Sequence, residues 1–262
     1  MSSSSNNIST TALSTTFLLL TTIFFAVKIF ITHNPENVDT AKPFSVAWSI
    51  GFIIIIMLVE FFFNLNLASQ VCNGNSQNAL TVFLYTLIPN FLILGSVITL
   101  ISVFPGLLSP FSNTIGYFIV SCMGLSRNFN SLLKSKKGSG SAGELITKIC
   151  SDKSLVINEM TPDNYTLFMK TLSNILVKNY SSTGEYKNVY SLVVIKTVIS
   201  EYIWYILSGL LAISVGSNSI SKLQCEYSAE DMKKTINQLH QEEQEVENDK
   251  NSNKPVLYTK NN

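Results

Sequence analysis

Residues 44–63 read FSVAWSIGFIIIIMLVEFFF, and this stretch decides the fold class. It holds Ile53-Ile54-Ile55-Ile56 at its heart, Trp48 near one end and a single charged residue, Glu60, near the other. A helix of about 20 apolar residues matches the ~30 Å hydrocarbon core of a bilayer, and a Trp near one end is an interfacial anchor. The stretch is therefore read as a transmembrane helix, with Glu60 marking its far end.

The same reading extends in both directions. Upstream, Ala12–Thr32 carries an apolar heart, Phe17–Val27, followed by Lys28, and is preceded by a Ser/Asn/Thr-rich segment, 1–11. A cleaved signal peptide would have a basic n-region; none precedes this stretch, so an uncleaved first span is expected. Downstream, Ala79–Phe104 contains no charge, and Pro89-Asn90 inside it predicts a kink whose freed carbonyl is satisfied by a neighbouring helix or a water. Pro105-Gly106 ends that helix. Leu107–Leu125 is again uncharged but contains Pro110, Asn113, Gly116 and Gly124, which leaves a short spanning helix and a re-entrant or interfacial segment both open. The last span is Val193–Val215, with Tyr202, Trp204 and Tyr205 in its first half and Lys196 and Glu201 near its start.

Between these spans the chain turns hydrophilic. Lys134–Ser141 is a basic Gly/Ser-rich linker. The Ser141 to Glu144 spacing is that of a capping box, and Thr161-Pro162-Asp163 supplies a cap, a first-turn proline and an acid. Tyr165, Phe168, Met169, Leu172, Ile175 and Leu176 then recur at helical spacing along one stripe. Beyond the last span a charged helix runs from Ser228 to about Glu247, and Asn248–Asn262 has a disordered composition. The expected fold is all-α: a polytopic helical membrane protein with a small polar helical module and a disordered C-terminal tail. Its parts are a polar N-terminus (1–11), a membrane domain (12–125), the module (126–190), the last transmembrane helix (191–217) and the polar tail (218–262).

Composition agrees. Of 262 residues, 46% are hydrophobic and 13% charged, about half the charged fraction usual in soluble domains. The net charge of +1 lacks the basic surplus that binds a phosphate backbone, so no nucleic-acid partner is expected. Cys72, Cys122, Cys150 and Cys225 lie far apart without a C-x-x-C pair, and His33 and His240 stand in different polar segments, so neither a metal nor another cofactor is expected. Buried or idle thiols are the plain reading of the cysteines; a disulfide needs two of them on one oxidising side of the membrane. No G-x-S-x-G elbow, H-E-x-x-H, P-loop or dinucleotide fingerprint is present, and the sequence is not read as an enzyme.

Charges in spans are functional candidates by default, because hydrocarbon penalises them. Lys28, Glu60, Lys196 and Glu201 all fall toward predicted span ends, where anchoring or local ion pairing explains them as well as an ion path does. Ser208, Ala212 and Gly216 recur at every fourth position of the last span, a small-residue face for close helix packing. Thr114-Ile115-Gly116-Tyr117 matches part of a potassium-channel filter, but Phe118 stands where the filter needs a glycine able to take positive φ.

Three stretches together carry a wider likeness. Phe104-Pro105-Gly106 running into Ser109–Tyr117, Ser154–Met160 and Ser200–Gly209 resemble multi-pass membrane proteins encoded by large DNA viruses of algae and protists, over about residues 79–220. The resemblance implies a location, the internal membrane of a virion or a host endoplasmic-reticulum-derived membrane, and carries no functional residues across. The leading expectation is a structural component of such a membrane, touching lipid and, through the module or tail, capsid or other viral membrane proteins. The alternative is a small channel or transporter, which would need the chain to form a homo-oligomer. Arg127, Lys134, Lys136 and Lys137 form the densest basic cluster, and the positive-inside rule places it in the cytosol.

Overall fold

The computed structural model describes residues 2–32, 38–72, 79–134 and 141–223, with 233, 236–241 and 243–244 of the tail. The predicted linker at 135–140 and the end of the tail lie outside the described residues. Most of what is described is helical, and the extended pairing among the described residues is an isolated bridge between Leu133 and Leu176.

Among the described residues, four stretches are long and apolar enough to cross a bilayer: Thr10–Thr32, Trp48–Val71, Ala79–Val103 and Gly184–Ser221. The first two belong to α1 (Ser2–Thr32) and α2 (Val38–Val71). The third is compound: α3 (Ala79–Pro89), a π-helical stretch Asn90–Gly95, and α4 (Ser96–Val103). The anticipated break at Pro89 is thus absorbed as a change of helical winding. The fourth belongs to α11 (Gly184–Ser221), which begins inside the segment assigned to the polar module and is capped by the Thr183 hydroxyl, which accepts from the Tyr186 amide at 3.3 Å.

The bundle is apolar outside as well as inside. Phe30, Phe62 and Phe91 are each more than 60% exposed, along with Leu19, Leu80 and Leu92. In water such a surface would drive aggregation; in hydrocarbon it costs nothing. Together with span length, it makes this an integral membrane protein.

α11 is the axis on which the other elements assemble. One end of the bundle is held by Leu67, Ala68, Val82 and Ile220, all buried. Toward the other end, Phe24 stacks on Phe52 at 4.3 Å, and Phe25 meets Tyr205 and Tyr202 edge-on at 5.0 and 5.4 Å. Between these, Gly209 faces the Phe17 ring. At 38 residues α11 is about 57 Å long, nearly twice the hydrocarbon thickness. Its second half completes the four-helix bundle, and its first half continues beyond it.

That first half is where the ambiguous segment packs. After the 3-10 turn Pro105–Leu108, the chain continues through α5 (Ser109–Phe111), a π-helical turn Ser112–Gly116, α6 (Tyr117–Cys122) and α7 (Leu125–Leu132). Contacts fall at successively earlier residues of α11: Trp204 Nε1 donates to Leu107 O at 2.9 Å, Ser200 Oγ to Leu108 O at 2.6 Å, and Gly116 lies against the Lys196 carbonyl. Residues 107–125 therefore run onward, antiparallel to the first half of α11. They neither return across the bundle nor dip back into it. The Leu107 and Leu108 carbonyls lie in the irregular turn that leads into Pro110, and α11 side chains supply donors to both.

The remaining helices, α8 (Ser141–Ser151), α9 (Ser154–Ile157) and α10 (Tyr165–Thr171), complete the module. Tyr165, Phe168, Met169, Leu172, Ile175 and Leu176 were expected to form one helical stripe. α10 ends at Thr171, and the chain beyond it pairs with α7, Lys134 N donating to Ile175 O and Val177 N to Leu132 O, each at 2.9 Å. The apolar periodicity survives because Ile175 and Leu176 are buried by this bridge.

Candidate functional site

The sequence sets Glu60 at the end of a 44–63 span. In the structure the apolar stretch of α2 runs from Trp48 to Val71, which leaves Glu60 midway along it and 2% exposed. The helix continues past Asn64 and Asn66, whose polarity follows the 44–63 stretch in the sequence. Asn64 is itself buried, one turn beyond Glu60 on the same face.

Two residues of the third span meet this pair, also one turn apart. Asn90 Nδ2 donates to Glu60 Oε2 at 2.5 Å and to Thr86 O at 3.0 Å. Asn64 Nδ2 donates to Thr86 Oγ1 at 2.9 Å, while the Thr86 hydroxyl passes its own proton to Val82 O at 3.0 Å. The result is a polar ladder of Glu60–Asn90 and Asn64–Thr86 rungs, every member at most 3% exposed. Its local cause is the Pro89-Asn90 pair. Pro89 has no N–H for Tyr85 O, and the π-helical stretch begins at Asn90, the residue that reaches the carboxylate.

The ladder is rich in acceptors. Glu60 Oε1, Asn64 Oδ1 and Asn90 Oδ1 have no partner, nor has Ser217 Oγ on α11, next to Gly216, whose Cβ position lies 3.4 Å from Tyr85 O and 4.0 Å from the Pro89 ring. An unpaired buried polar group costs about 1–3 kcal/mol, so such a cluster is expensive to maintain. Both amides are fixed in orientation. Asn90 commits both hydrogens of Nδ2, and Asn64 must present Nδ2 to a Thr86 oxygen whose proton is already given away.

The other charges gather at the module end. Lys28 and Glu201 form an ion pair between α1 and α11, with both side chains largely buried. Lys196, 1% exposed, donates to Ile157 O at 2.8 Å, with Asn158 O and Asn113 Oδ1 each at 3.5 Å. It ties α11 to the module and to the π-helical turn at once. These groups line a cleft of about 320 Å³ with Thr32, Ser109, Ser112, Asn158 and Thr161. Nearby, the Tyr165 hydroxyl donates to Tyr186 O at 2.8 Å, and burial, then the neighbouring Tyr186, Tyr180 and Tyr190 phenols, push its pKa up.

Ser208, Ala212 and Gly216 are all buried on α11, and Leu211 beside them is 55% exposed. Gly209, which the every-fourth-residue pattern passed over, makes the closest approach of all, to Phe17. The filter-like run is right-handed π- and α-helix through Thr114–Tyr117, so its carbonyls point along a helix axis and line no pore. Cys72 is disulfide-bonded, which corrects the reading of the cysteines as idle thiols, and Cys122 is free. Among the described residues no group of His, Cys, Asp and Glu is arranged to hold a metal. No family model, curated protein or solved structure matches the chain. The class rests on the physical observations: an all-α integral membrane protein with four candidate spans.

Proposed function

We propose that the chain is a structural protein of a viral internal membrane, a four-span anchor that holds a helical module at one membrane face for contact with capsid or other membrane proteins. The observation that carries this reading is the single uninterrupted helix α11, which joins the bundle to the module. Lys196, Ser200 and Trp204 fasten its first half to the segments around it. A rigid mount suits a load-bearing contact. The viral setting is supported by the sequence resemblance alone.

The basic cluster beginning at Arg127 supports a cytosolic module. The Cys72 disulfide, at the opposite end of the bundle, supports an oxidising compartment there, the two arguments being independent. Quantitative proteomics of purified particles tests the reading: the protein should be present at a copy number comparable with other membrane components, and its absence from particles overturns it. The rival, an oligomeric channel or transporter, draws on one observation, the Glu60 ladder at mid-span. Ion flux from proteoliposomes that disappears in Glu60→Gln would favour it.

A further inference from the structure

The cleft at the module end lies where two spans stop. Lys28 and Thr32 close the Thr10–Thr32 stretch, Ile101 and Ser102 close Ala79–Val103, and all four line the cleft. On α11, Trp204 stands one turn from Glu201, an aromatic of the kind that marks headgroup level. The cleft therefore sits at the polar boundary of the bilayer. Among its described lining residues two are cationic, Lys28 and Lys196, and two anionic, Asp163 and Glu201. Lys28 is paired with Glu201, whereas Lys196 makes no ion pair among the described residues. Its Nζ faces neutral oxygens, Ile157 O at 2.8 Å and, at the outer limit of a hydrogen bond, Asn158 O and Asn113 Oδ1 at 3.5 Å. A cation 1% exposed without a counter-charge is costly. Asn158 also lines the cleft, and its Oδ1 is buried and accepts no hydrogen bond. Two residues in contact thus present an unmatched cation and an unmatched acceptor.

We propose that the cleft binds the phosphoethanolamine headgroup of a phospholipid in the module-side leaflet, its phosphate against Lys196 and its ammonium toward Asn158 Oδ1 and Asp163. Clefts between spans at this level, carrying buried lysine, are where lipid phosphates bind. A zwitterion leaves the balanced lining neutral, whereas an anionic headgroup would add net charge against two carboxylates. A phosphocholine matches the charge but has no N–H for Asn158. A quaternary ammonium is also held by a cage of aromatic faces, and the described lining offers one ring, Tyr190. About 320 Å³ is at the low end of ligand cavities, room for a headgroup and not for its acyl chains. The chains lie instead on Leu100, Val103 and Phe104, exposed beside Ile101 at the end of the third span. Such a site requires the bilayer but neither the anchoring nor the channel role.

The test is native mass spectrometry of the full-length protein in detergent with equal amounts of dioleoyl-phosphatidylethanolamine and dioleoyl-phosphatidylcholine, and Tm measured with each lipid and with inorganic phosphate. The ethanolamine lipid should be retained roughly tenfold over the choline lipid, the ratio that one charge-assisted hydrogen bond supplies. Lys196→Gln should lose both lipids. Asn158→Ala, which removes no hydrogen bond of the fold, should bring the ratio near one, and it carries the test if loss of Lys196 loosens the module. Equal retention of the two lipids by the wild type overturns the proposal. A preference that survives Asn158→Ala overturns it as well, by placing the lipid elsewhere. A Tm rise with inorganic phosphate that matches the rise with the ethanolamine lipid overturns it in favour of a plain anion site.

Discussion

Gly209→Ala probes the packing of α1 against α11. A Cβ built at Gly209 lies 2.1 Å from Cζ of Phe17 and 2.7 and 2.8 Å from its Cε atoms. Carbon atoms pack at about 3.5–4.0 Å, so the ring must retreat by roughly 1.5 Å. Phe17 is 1% exposed and cannot swing outward without displacing α1. Overpacking of this kind costs about 1–3 kcal/mol, against a helix-propensity gain of about 1 kcal/mol for Gly→Ala. The expected net loss is about 0–2 kcal/mol, read by reversible unfolding in mixed micelles. In a Phe17→Leu background the ring is gone, and the same Gly209→Ala change should become neutral or mildly stabilising. Gly51, with nothing within 4 Å of its Cβ position, is the internal control and should show the propensity gain alone. Equal cost of Gly209→Ala in both backgrounds would refute the packing argument, since contacting residues must couple.

Three further outcomes are expected. Ala212→Leu should destabilise the bundle by about 1–3 kcal/mol while Leu211→Ala stays within about 0.5 kcal/mol, because Ala212 is 1% and Leu211 55% exposed; equal effects in the same unfolding assay would remove any special role for that face. Lys196→Met removes the lysine's bond to Ile157 O, leaving that carbonyl only the Met160 amide at 3.2 Å, and should expose residues 126–190 to limited proteolysis while the bundle stays folded; an unchanged digestion pattern would show that the lysine does not hold the module. In microsomes, Asn164 and Asn179 should remain unglycosylated, and a membrane-permeant maleimide should label Cys122 without reductant but Cys72 only after reduction. Sugar at either asparagine would place the module in the lumen.

The spans were legible because lipid imposes a length and an apolarity that composition cannot disguise. Ala79–Phe104 and Ala12–Thr32 were read almost to the residue. Glu60 was misplaced for a physical reason. Hydropathy reads Asn64 and Asn66 as the edge of the membrane, whereas a polar side chain facing a polar partner on the next helix costs little, and only tertiary structure reveals that Thr86 is opposite Asn64. The signal available was Pro89-Asn90, read as a kink and not connected to Glu60 across the loop. Residues 107–125 were ambiguous because their apolar residues pack on the first half of α11, a partner that hydropathy alone does not reveal. Gly209 escaped because a search for small residues at every fourth position does not ask which large residue faces them.

The central claim is that this chain is held in a bilayer by several apolar helices, and alkaline carbonate extraction of expressing membranes tests it most directly. Burial of four helices of about 20 apolar residues predicts that the protein stays in the pellet at high pH and is released only by detergent. Recovery in the carbonate supernatant, or in a soluble fraction without detergent, would contradict the account.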